Sequence, residues 1–200
     1  MNILKLLFGA LLAALASFTW GYLSWEVLGW HTNNTFGFKD ETEIREALAN
    51  NLQAGHGTYM LPHLGELPSF LPPDEKAAKQ AAVKQARDDG PFLYATIRPG
   101  KKPFNMNQAL GLSFTRSFLA CLILGGILSG FALPYAKKVF FCAAMGLFAG
   151  LAADVPDWIW FELRGSDLFV AIADHLLEWT AAGCVLAVFV GLPMNHRHED

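Results

Sequence analysis

Cysteine is scarce in this sequence, and what there is forms no motif. Cys121, Cys142 and Cys184 each stand alone in an apolar stretch without metal-ligand spacing, and the polar part of the chain has none. A disulfide scaffold is therefore excluded, and each cysteine reads as a small buried hydrophobe. A charge excess is also missing. Lys and Arg number 15 against 18 Asp and Glu, a formal net charge of -3, which gives no basis for a nucleic-acid partner. There is no glycine-rich phosphate loop, nucleophile elbow or paired-cysteine site. His175 and Glu178 invert the Glu-x-x-His unit of di-iron bundles, which need two such units where this chain has one. His175 is also the one histidine inside an apolar stretch, which is poor provision for haem. No metal or cofactor is expected, and no catalytic residue is assigned.

What the sequence does have is long apolar runs. Hydrophobic residues make up 53% of the 200, and a helix crosses a bilayer with about 20 mostly apolar residues. Four stretches qualify: about Ile3 to Leu28, Ala109 to Leu133, Val139 to Phe161, and Leu168 to Leu192. The first has a signal-like start, with Lys5, an apolar run and Ala14-Leu15-Ala16. It continues through Phe18, Trp20 and Leu23, longer than a signal core, and reads as a retained anchor. The expected fold is an all-α membrane bundle of four transmembrane helices, with a small extramembrane α/β domain between helices 1 and 2. The corresponding segments are helix 1 in 1–30, the α/β domain in 31–103, helices 2 to 4 in 104–193, and a tail in 194–200.

The polar insert is readable locally. Asp40 and Thr42 can cap a helix from about Glu41, with Ile44, Ala47, Leu48 and Leu52 as its apolar stripe. Gly57 to Leu61 reads as a strand stopped by Pro62, the proline-rich run to Pro73 as a loop, Asp74 to Arg87 as a second helix, and Phe92 to Ile97 as a second strand. The strands could pair in parallel through a right-handed crossover, or antiparallel. Two helices and two strands make a marginal core, so the domain is expected to lean on a membrane surface or a partner.

The six tryptophans and the charges within the apolar stretches gather toward one end of those stretches. Arg116, Asp154, Asp157, Asp174, His175 and Glu178 form the candidate site, a polar intramembrane cluster for binding or for structure. At about 1.5 Å per residue, Arg116, Asp154 and Asp174 each lie roughly 10 Å inside that end. Charges at such depth face a protein interior and pair with one another, so Arg116 is expected to meet Asp154 or Asp174. Trp25, Glu26, Trp30 and His31 form an interfacial rim. Gly126-x-x-x-Gly130 and Gly146-x-x-x-Gly150 are spaced for close helix approach. They suggest a tight hairpin of the second and third spans around Lys137 and Lys138.

The run Trp25-x-x-Leu28-x-Trp30-His31, then Phe38-x-Asp40-Glu41, resembles the opening of small bacterial multi-pass membrane proteins without an assigned activity. Gly57 to Pro62 and the run from Gly146 to Trp158 add to that likeness. It spans the chain and brings no catalytic residues to transfer. The signal-like start and the lysine hairpin favour both termini in the cytoplasm and residues 31–103 in the periplasm, in the cell inner membrane. The functional expectation is a non-enzymatic interaction or assembly protein. Its partners are the lipid bilayer and a protein or second copy, with no nucleic acid. The alternative is a small oligomeric transporter or proton-conducting component using the intramembrane acid, arginine and histidine cluster.

Overall fold

The computed structural model describes residues 3–52, 55–63, 65, 70–100 and 103–191. They separate into two compact units: Met1–Phe36 with Asn105–Asp200, and Gly37–Phe104. The tail 194–200, the loop positions 64 and 66–69, and Lys101-Lys102 lie outside the described residues.

The first unit holds four helices long and apolar enough to cross a membrane. They are α1 (Ile3–Tyr22, extended by a π-helical turn over Leu23–Val27), α4 (Met106–Leu128), α5 (Tyr135–Trp160) and α6 (Gly165–Phe189). Helix α4 starts earlier than the apolar run does because the Asn105 side chain accepts a hydrogen bond from Gln108 N at 3.1 Å. It ends before Phe131 and Leu133, and Leu133 turns back against the core.

The bundle is organised around α1. That helix carries a face of small residues, Gly9, Ala10, Ala13, Ala14 and Ser17, all buried, and small residues let neighbouring backbones come close. Helix α1 packs against α4 on one side and α6 on the other, and α6 packs against α5. The spatial order is therefore α4, α1, α6, α5. Ala10, Ala13 and Ala14 meet Cys121, Leu124 and Leu128 of α4 and Ala182 and Leu186 of α6 in one core, with Cys142 of α5. Cys184 is exposed, contrary to the reading of all three cysteines as buried. It sits on the outward face of α6.

The expected hairpin of the second and third spans is not what the chain builds. Among the described residues, α4 and α5 share no substantial packing. A Cβ added at Gly126 would meet nothing within 4 Å, whereas at Gly146 it would lie 2.5 Å from the His175 carbonyl oxygen. The glycines of α5 thus serve α6. Helix α4 uses Gly125 instead, where a Cβ would fall 2.6 Å from Leu6 and 3.3 Å from Leu186. Gly125 and Gly126 are one residue apart and so about 100° apart around the helix. Spacing alone does not say which of two adjacent glycines faces inward.

One end of the bundle gathers the start of α1, the α4–α5 turn and the end of α6. Phe8 meets Phe189 edge-on at 5.6 Å, and Lys138 Nζ donates to the carbonyls of Ala187 (3.1 Å) and Val190 (2.5 Å). Lys138 therefore satisfies carbonyls left open where α6 stops. At the other end Arg164 donates to the Asn34 carbonyl, lies over the Phe36 ring at 4.8 Å and pairs with Asp167 at 2.9 Å.

The second unit contains α2 (Glu41–Asn51), β1 (Gly57–Leu61), α3 (Pro73–Asp89) and β2 (Leu93–Ile97). Asp40 caps α2 by accepting from Glu43 N at 2.9 Å. The strands pair antiparallel, from Gly57 opposite Ile97 to Leu61 opposite Leu93, so of the two pairings open to the sequence the crossover is not used. None of the described residues in 37–104 is buried.

Candidate functional site

Polar side chains from three helices meet in the middle of the bundle. Glu178 on α6 is the centre of this group. Its Oε1 accepts from Arg116 Nη2 at 2.6 Å and from Ser17 Oγ at 2.6 Å. Ser17 and Ser117 lie 2.9 Å apart, and Arg116 Nη2 is also 3.2 Å from Ser117 Oγ. Arg116 and Ser17 thus hold one carboxylate while Ser117 contacts both of them, binding α1, α4 and α6 together. The Glu178 side chain is 9% exposed and that of Arg116 60% exposed. The carboxylate is therefore internal, and the guanidinium reaches it from the flank of α4.

A second group lies one turn nearer the tryptophan-rich end, about 6 Å along α6. Asp174 Oδ1 accepts from Trp20 Nε1 at 2.6 Å, and its Oδ2 lies 3.3 Å from His31 Nε2. His31 Nε2 is also 3.0 Å from Ser24 Oγ, which accepts from Trp30 Nε1 at 2.8 Å. The Trp25 ring stacks on His31 with centroids 4.2 Å apart and planes 4° apart. The rim residues Trp25, Trp30 and His31 therefore fold back onto Ser24 and Asp174. Glu26 stays exposed.

The third group joins α5 to α6. Gly146, Gly150 and Asp154 recur every fourth residue and line one face of α5. A Cβ at Gly150 would lie 3.5 Å from the His175 ring, and one at Gly146 would strike the His175 backbone and Trp179. His175 is thereby laid along α5 with Nε2 3.4 Å from Asp154 Oδ2. That pair is looser than the others. Asp154 Oδ2 and His175 Nδ1 are both enclosed without a hydrogen-bond partner. Asp157 is exposed, outside all three groups.

The sequence places the right residue types together but assigns Arg116 the wrong acid. Asp154 belongs to α5, which does not pack beside α4. Asp174 is taken by Trp20 and His31. Glu178 remains, on the same face of α6 and within reach of α4. Sequence reasoning also passes over Ser17, Ser24 and Ser117, each 0–1% exposed. Their signal is position. Ser17 continues the small-residue stripe of α1, and hydroxyls on such a face bond across helices.

Among the described residues, no three His, Cys, Asp or Glu side chains converge as a metal ion would require. Comparison with protein families finds no match. Comparisons with curated proteins and with solved structures find none either. The class defined by the fold is a four-helix, multi-pass candidate membrane protein with a small two-stranded sheet.

Proposed function

We propose that this chain is a non-enzymatic interaction or assembly protein of the bacterial inner membrane, with its polar layers acting as fasteners of the bundle. Membrane insertion is supported by the outer surface of the helices. Only 17–28% of the most apolar window of each span is buried, leaving side chains such as Phe140, Ile123 and Phe148 more than 60% exposed. Apolar surface on that scale suits lipid and would drive association in water. Lys5 and Lys138 belong to the end where α1 starts and α6 stops, which supports that end as cytoplasmic. Residues 31–103 then lie in the periplasm.

The observation that carries the fastening role is the occupancy of the acids. Glu178 and Asp174 each hold donors from other helices or from the loop after α1. A carboxylate engaged in this way holds helices together.

A transporting or proton-conducting role, in an oligomer, has one observation in its favour: the unpartnered Asp154 Oδ2 and His175 Nδ1. Proteoliposomes carrying a pH-sensitive dye separate the two readings. The fastening reading expects proton flux no greater than that of empty liposomes, and crosslinking in native membranes should give a discrete adduct with a partner or second copy. Flux that is abolished by Asp154→Asn would transfer the function to the conducting reading.

A further inference from the structure

Unit Gly37–Phe104 buries none of its described residues, yet it encloses a groove of about 600 Å³. That size is typical of small-molecule sites. Helix α2 forms one wall, and the stretch from Ile97 to Gly100, where β2 runs out, forms the other. Its apolar lining includes Leu48 and Leu52 from the α2 stripe and Ile97 from β2. Arg45 and Arg98 border it from opposite walls. Among the described residues neither guanidinium has an ion pair or a hydrogen bond. One carboxylate, Glu46, also faces the space.

We infer that this groove binds a single-chain fatty carboxylate, with its hydrocarbon on Leu48, Leu52 and Ile97 and its head between Arg45 and Arg98. A guanidinium presents a planar fork of donors that matches a carboxylate, and two from opposite walls can hold one head. Glu46 offsets one of the two guanidinium charges, leaving a net charge that one singly charged carboxylate neutralises. An extended peptide fits less well. It would need backbone partners along the wall, but the strand ladder ends at the pair Gly57 and Ile97. Pro99 beyond it has no N–H to offer. An alkyl chain needs no such partners. In the membrane setting proposed above the unit is tethered beside a bilayer, where fatty carboxylates partition. The groove is lined by residues of the second unit and the polar layers by residues of the first, so either assignment can fail alone.

Photo-crosslinking tests this with the full chain in zwitterionic nanodiscs and a diazirine-bearing dodecanoate as probe, the adducts being mapped by mass spectrometry. Adducts on residues 45–52 and 97–100 are expected, competed by dodecanoate and not by dodecanol. Arg45→Gln combined with Arg98→Gln should cut them at least about tenfold, since charge-assisted hydrogen bonds are lost. Adducts on the spans from lipid-dissolved probe should stay constant, which shows an intact chain. Leu48→Asp, with both arginines kept, should also abolish groove labelling. Groove adducts unchanged in the arginine double variant, equal competition by dodecanol, or labelling of the spans alone would overturn the inference. Stronger competition by dodecyl phosphate would overturn the carboxylate assignment.

Discussion

Arg116 on α4 and Glu178 on α6 meet at 2.6 Å, although α4 and α6 touch only lightly and α1 runs between them. The pair reaches across the end of the α1 small-residue face, and Ser17 of α1 completes it. Removing one partner leaves the other charge uncompensated in a low-dielectric interior. Arg116→Met should therefore cost about 3 kcal/mol, at the lower end for a buried pair. Arg116→Met combined with Glu178→Gln should recover most of that loss. Equilibrium unfolding in detergent measures both, and a double variant no better than the single one would contradict the pairing.

The glycines give a sharper contrast than their shared spacing suggests. Gly146→Ala should destabilise the chain by about 2 kcal/mol, because the methyl group would press on the His175 carbonyl and Trp179. Gly126→Ala should be neutral, or stabilising by up to about 1 kcal/mol through helix propensity, because its Cβ meets nothing within 4 Å. Thermal melts of the two variants decide it. Equal losses would restore the hairpin packing that the spacing suggested.

Trp20→Phe keeps the ring but removes the donor to Asp174 Oδ1. Asp174 is half-buried and keeps His31, so the lost bond should cost about 1 kcal/mol. Trp20→Phe with Asp174→Leu, which removes both members, should lose less than the single change. The comparison is again by unfolding in detergent.

Orientation is open to chemical labelling. Lys84 lies on the exposed α3, its side chain bonded among the described residues to Asp88. In a Cys184→Ser background, Lys84→Cys should react with a membrane-impermeant maleimide in intact spheroplasts. Labelling only after permeabilisation would place residues 31–103 in the cytoplasm.

Local chemistry was legible and neighbour choice was not. The four apolar helices follow from run length, and α2, α3 and the first strand from Asp40, Pro73 and Pro62, residues that start and stop elements whatever surrounds them. The residue types of the polar layers were visible for the same reason, since a charge inside an apolar run stands out. Which helix sits beside which depends on matching surfaces far apart in sequence. That α4 should turn Gly125 inward and leave Gly126 outside, and that α1 should separate α4 from α6, is settled by Leu6, Leu186 and the alanine face of α1 together. The sequence pairs Arg116 with the wrong acid because it conveys depth along a helix and not the order of the helices.

The central place of α1 bears on how the chain is assembled during synthesis. A ribosome adds about 5–20 residues per second. In the membrane setting proposed above, the alanine face of α1 is thus made seconds before α4 exists and longer still before α6. Until α6 arrives, Ser17 lacks its carboxylate and Arg116 its counter-charge. A nascent chain halted in the α5–α6 turn would hold the Arg116 guanidinium without its counter-charge. Synthesis of α6 delivers Glu178, the counter-charge that closes the layer.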